Sequence, residues 1–137
     1  MRSKTRDPRS RTRVLREYDL PAPRPRPRNH WITKPILHAR GWTDTAIRDH
    51  LPKPQRYRDN PHPEGARHSM PLWRAETVAR AEATPEWRDW LERSLRRRRK
   101  TLLDLTATIK DPGFHRRTRA ADTAITAHQK WICRRRR

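Results

Sequence analysis

The side chains of this chain that could do chemistry fall into two groups. The first would serve catalysis or metal binding, and it lacks any arrangement. Fifteen acids are dispersed along 137 residues, no His-Glu pairing has a metalloenzyme spacing, and Ser10, Ser69 and Ser94 stand outside any nucleophile motif. The three glycines form no phosphate-cradling loop. Cys133 is the only cysteine, which excludes an internal disulfide and any cysteine-based zinc finger. His62 and His68 have no third ligand at a suitable spacing, so His62 reads as a turn histidine. No enzyme, catalytic residue, metal or cofactor is expected.

The second group is cationic and dense. Arg24, Arg26 and Arg28 alternate with prolines, Arg96, Arg97, Arg98, Arg99 and Lys100 are consecutive, and Arg134, Arg135, Arg136 and Arg137 close the chain. Proline in alternation forces an extended rod that holds its arginines apart, a form suited either to tracking phosphates and entering a minor groove or to a stiff spacer. Five adjacent cations on a helix cannot all find acids, so that collar reads as a phosphate-binding surface or as a solvated face. The net charge of +20 is uneven: ten Lys/Arg against three Asp/Glu over residues 1–30, eleven against nine over 31–95, and fourteen against three over 96–137. Basic flanks on a balanced centre repel themselves unless a polyanion is present. Nucleic acid is therefore the expected partner. An anionic membrane surface is the lesser candidate, because neither flank carries the broad apolar face of an interfacial helix.

The elements that must position these cations have little material for a core. Hydrophobic residues make up 31% of the chain, charged residues 36%, and there are 13 prolines. That composition predicts a small folded centre with loose ends, and the helix caps and apolar spacing predict a mainly α fold: a flexible basic arm over 1–30, a module over 31–83, and helices with a basic tail over 84–137. No apolar segment follows the basic N-terminus and none is long enough to cross a membrane, so a soluble, cytoplasmic, nucleoid-associated protein is expected.

Within the module, Thr33 caps a short helix with Pro35 in its first turn, running to Gly41 as a left-handed C′ residue. Thr43 caps the next helix, with Asp44 facing its positive end. Ala46, Ile47 and Leu51 face inward at helical spacing, which leaves Thr45, Arg48 and Asp49 outward. Pro52 and Pro54 stop this helix, and an excursion follows with arms 55–58 and 67–70. Arg56, Arg58 and Arg67 would contact phosphates if it forms a wing; otherwise it is a solvated loop. A helix is expected over Trp73–Glu82. The predicted core is Trp31, Ile36, Leu37, Trp42, Ile47, Leu51, Leu72, Trp73 and Val78.

Thr84-Pro85-Glu86 starts a helix whose stripe Trp87, Trp90/Leu91, Leu95, Leu102, Leu105 and Ile109 could carry it to Lys110, ended by Asp111-Pro112-Gly113. That helix is either a homodimer seam through residues 84–110, interrupted by its cationic collar, or a phosphate-binding surface. A last helix over Thr118–Trp131, with Ala121, Ala124/Ile125, His128 and Trp131/Ile132 on one side, would fold back on Leu102–Ile109.

The order helix, turn, helix, excursion, then a Leu-aromatic pair leading into an amphipathic helix resembles the winged-helix modules of MerR-type regulators and phage excisionases. Asp59-Asn60-Pro61-His62 followed by Met70-Pro71-Leu72-Trp73 is similar to a passage in the DNA-binding domain of the xeroderma pigmentosum group A repair proteins. The resemblance covers about a third of the chain. It implies a winged helix-turn-helix centre that docks on duplex DNA through Thr45, Arg48 and Asp49. Pro71 stands where that family has a residue able to bond in a strand, and the single cysteine excludes its four-cysteine zinc subdomain, so the repair role does not carry over. Two alternatives stay open: an RNA- or ribosome-associated structural protein with Arg-rich extensions, and a helix-mediated assembly protein.

Overall fold

The structure is a computed structural model that describes residues 25–61 and 67–135. Among these residues it is mainly helical, with one small antiparallel sheet. Threonine caps fix the first two helices. Thr33 Oγ1 accepts from Ile36 N at 3.4 Å and starts α1 (Lys34–Ala39). Thr43 Oγ1 accepts from Ala46 N at 3.1 Å and starts α2 (Asp44–His50). Between them Gly41 takes φ +100°, the left-handed conformation that a residue with a Cβ avoids.

The excursion is a hairpin. β2 (Arg56–Pro61) pairs antiparallel with β3 (Arg67–Arg74), and β1 (Trp31–Thr33) pairs with the other edge of β3, giving the order β1-β3-β2. Pro71 would break a central ladder, but β1 reaches only residues 72–74 of β3. At Pro71 the strand has a neighbour on one side alone, where a missing donor is tolerated. Residues 62–66, with His62, lie outside the described residues, as do residues 1–24 and 136–137.

α3 (Ala75–Glu82) begins two residues later than the sequence predicts, because Trp73 and Arg74 are held in β3 opposite Ile32 and Trp31. α4 (Pro85–Arg98) starts on the Thr84 cap as expected and then stops. The single helix to Lys110 does not form. Arg99 adopts φ 55°, ψ 45°, and Lys100 N bonds back to Leu95 O at 3.0 Å. Two forces favour this break: Arg96 and Lys100 are like charges four residues apart, and Thr101 with Asp104 forms a reciprocal capping box that starts α5 (Leu102–Thr106).

α6 (Pro112–Arg135) is longer than predicted at both ends. Asp111-Pro112 starts this helix instead of ending the previous one, with Gly113 N bonded to Asp111 Oδ1 at 3.0 Å. α6 packs on α3 and α1 rather than folding back on residues 102–109. Its expected stripe is the buried side: Ala121, Ile125, His128 and Ile132 are buried, and Ala124 and Trp131 pack against the core.

One hydrophobic cluster joins these elements through Ile32, Ile36, Leu37, Trp42, Ala46, Ile47, Leu51, Trp73, Val78, Trp87 and Ile125. Trp42 and Trp87 meet at its centre, 5.0 Å between rings. Two expected core residues stand apart from it. Trp31 is only half-buried, and Leu72, though buried, is not part of the cluster, because both point to the other side of the sheet.

Candidate nucleic-acid interface

The helix expected to meet a groove is built as its residues dictate. Ala46, Ile47 and Leu51 are buried, and Thr45, Arg48 and Asp49 are exposed on the outer side of α2. The Arg48 side chain is 75% exposed, and its Nε lies 3.9 Å from Asp49 Oδ1, a loose pair that a ligand could open at little cost. At the start of α2, Asp44 accepts from His38 Nε2 at 2.9 Å, and this bond together with the imidazole charge holds its carboxyl below the ordinary value of 3.8.

A buried ionic knot ties the end of α1 and the turn before α2 to α3 and α6. Arg40, at the C-cap of α1, grips both carboxylate oxygens of Glu82 and also reaches Asp122 on α6. Trp42 Nε1 donates to Glu82 Oε2 at 2.9 Å, and Gln129 Nε2 to Oε1 at 3.5 Å. Burial acts to lower the Arg40 pKa, but the bonds and charges of Glu82 and Asp122 outweigh it and raise it. The sequence shows Glu82 on the apolar side of its helix. It does not show the partner, 42 residues away.

The alternation of β2 separates its side chains. The register Arg56↔Leu72 and Arg58↔Met70 places Arg56 and Arg58 on the side of the sheet that also carries Trp31 and Arg74. Tyr57, 59% exposed, points to the helical side with Ile32 and Trp73. Arg74 escapes the sequence reading because a helix is expected to start at Trp73. A period of two carried through Leu72-Trp73-Arg74 is the signal that would find it. Arg67 lies in β3.

The other expected contacts meet different fates. Arg26 pairs with Glu76 and lies over the Trp131 ring at 5.2 Å, so it joins α3 to α6. Arg28 is exposed, and its carbonyl accepts from His128 Nε2 at 3.2 Å. In the collar, Arg96, Arg97, Arg99 and Lys100 are exposed. Arg98 turns inward and donates to Gly41 O at 3.0 Å, tying α4 to the α1–α2 turn. On α4, Glu92 pairs with Arg96 at 3.5 Å, both side chains exposed. Arg134 is exposed on α6, and Arg135 ends that helix. Arg24, Arg136 and Arg137 lie outside the described residues.

No match emerges when the chain is compared with family models, curated proteins and solved structures. The function must therefore be read from the geometry alone. Among the described residues no group of three or more His, Cys, Asp or Glu side chains comes together, and no helix is long and apolar enough to cross a membrane. Trp87, Trp90 and Leu91 of the expected dimer stripe pack on the chain's own core, while Leu102 and Leu103 are exposed.

Proposed function

We propose that the chain is a small DNA-binding protein that sets the outer side of α2 in a major groove and its basic flanks on phosphates, while Arg56 and Arg58 of the expected wing, on the side of the sheet opposite Ile32 and Trp73, take no part in that contact. The supporting observation is α2 itself. It is capped, backed on the core by Ala46, Ile47 and Leu51, and leaves a threonine, an arginine and an aspartate facing outward. Arginine at such a position can donate two bonds to guanine, an interaction worth about 1–3 kcal/mol of discrimination. The flanks add affinity without sequence information. Self-association through residues 84–110 would fall to Leu102 and Leu103.

The test is binding to duplex DNA, structured RNA and single strands at two salt concentrations, with a panel of duplex sequences. Duplex preference with a steep salt response is expected. Arg48→Ala should reduce the spread of affinities across the panel by about tenfold, in line with the removal of one base-reading arginine. Stronger binding to structured RNA by the parent chain would defeat the proposal in favour of the RNA-associated alternative.

A further inference from the structure

The side of the sheet turned away from the helices carries a second cationic surface. The register brings Trp31 opposite Arg74 and places Arg56 and Arg58 on the same side. The Arg56 guanidinium lies 5.5 Å from the Trp31 ring centre and that of Arg74 lies 5.9 Å away. Two like charges are thereby held against one indole. The ring offsets part of their repulsion but neutralises neither. Among the described residues no carboxylate lies within 4.0 Å of Arg56, Arg58 or Arg74, whereas Arg48 and Arg80 each have one and Arg40 has two. A stacked guanidinium has fewer rotamers to lose and keeps its in-plane N–H fork open, the geometry that takes two oxygens of a phosphate.

We propose that Arg56, Arg58 and Arg74 around Trp31 form a second phosphate-binding surface, and that the chain thereby holds two segments of duplex DNA at once. This rests on the reading that α2 binds DNA. The helical core separates the two surfaces. Ile32 and Trp73 on the inner side of the sheet belong to the same cluster as Ala46, Ile47 and Leu51 on the inner side of α2. Each cationic surface therefore faces away from that core. Duplex DNA stays nearly straight over about 150 base pairs, so one segment lying on α2 does not curl round a module of this size to reach the back of the sheet. The occupant of the second surface is a second segment, and its contacts there are to phosphates and carry no sequence preference.

The experiment immobilises one duplex and measures capture of a fluorescent second duplex by the full chain. It compares the parent with the triple variant Arg56→Gln, Arg58→Gln, Arg74→Gln, and records binding to the first duplex separately. The parent should capture the second duplex, and the triple variant should capture it at least about tenfold less while binding the first within about threefold, since only phosphate-binding groups outside the α2 surface are removed. The basic flanks are unchanged in the variant, so capture driven by them would persist. Equal capture by both proteins would overturn the proposal, as would a parent that binds the first duplex and captures no second. A parent that binds neither duplex would overturn the α2 reading together with it.

Discussion

Glu82 is 5% exposed and carries a charge that the core must balance. Two guanidinium nitrogens of Arg40 and the Trp42 indole satisfy its oxygens, and these three residues come from α3, the end of α1 and the turn before α2. Glu82→Gln keeps the shape but leaves Arg40 with only the half-exposed Asp122. Removing one partner of a buried pair typically costs about 3–5 kcal/mol. Urea denaturation of this variant is expected to show a destabilisation near the lower end of that range, because Arg40 keeps a second carboxylate. A value below about 1 kcal/mol would mean that the knot does not hold the turn before α2 in place. Glu76 gives a pH signature of its own. Burial acts to raise its pKa, but the bonds and charges of Arg80 and Arg26 outweigh this and lower it from the ordinary 4.5. A carboxylate with a depressed folded pKa contributes stability above its unfolded value, and that contribution disappears as pH falls through the folded one. The melting temperature is therefore expected to drop as pH falls below about 4.5, and Glu76→Gln should flatten part of that drop. An unchanged acid slope in the variant would show that the Arg26 pair is not formed in solution.

Each element needs an end as much as a beginning, and the α1–α2 turn shows why. A Cβ on Gly41 would lie 2.5 Å from Leu91 Cδ1 and 3.3 Å from Leu102 Cδ2, so α4 and α5 press directly on the turn that aims α2. Gly41→Ala must also hold a left-handed φ, which costs about 1–2 kcal/mol for a residue with a Cβ. The expected result is a thermal destabilisation of about that size together with weakened DNA binding, measured on the same protein. Full retention of both would show that the turn does not need glycine. The threonine caps, Pro35, Pro85 and Gly41 are all legible in the sequence because capping acts over three or four residues. The outward placement of Thr45, Arg48 and Asp49 is legible for the same reason, through the helical period. Local signals fail where two of them compete. Asp111-Pro112 suits a stop and a start equally, and only the packing of α6 on α3 decides. The break at Arg99 has no glycine to announce it, and Thr101 with Asp104 is its one written sign. Arg98 cannot be told from its neighbours in the collar, because its partner is a carbonyl 57 residues away.

At the scale of the whole molecule, the contacts of residues 25–30 decide where the N-terminal flank joins the body. His30 O accepts from Ala75 N at 2.8 Å, Arg28 O from His128, and Arg26 bridges Glu76 and Trp131. The first flank therefore meets the body beside the last turns of α6, where the run from Arg134 begins. Residues 25–30 and the last turns of α6 lie side by side, and the cations they carry can act on a polyanion together. Such a cluster should raise affinity for every duplex equally, because counterion release depends on phosphates and not on bases. Replacing Arg134, Arg135, Arg136 and Arg137 together with Gln is expected to weaken binding to all duplex sequences by a similar factor. It should also flatten the log–log salt dependence by about 0.9 for each phosphate that is no longer neutralised. Arg48→Ala should do the reverse: it removes at most about one unit of slope and narrows the preference among sequences. Titrations of both variants against the same panel at several salt concentrations measure both quantities. A tail variant that loses sequence preference, or an Arg48 variant that loses affinity uniformly, would show that docking and discrimination are not divided between the flanks and α2.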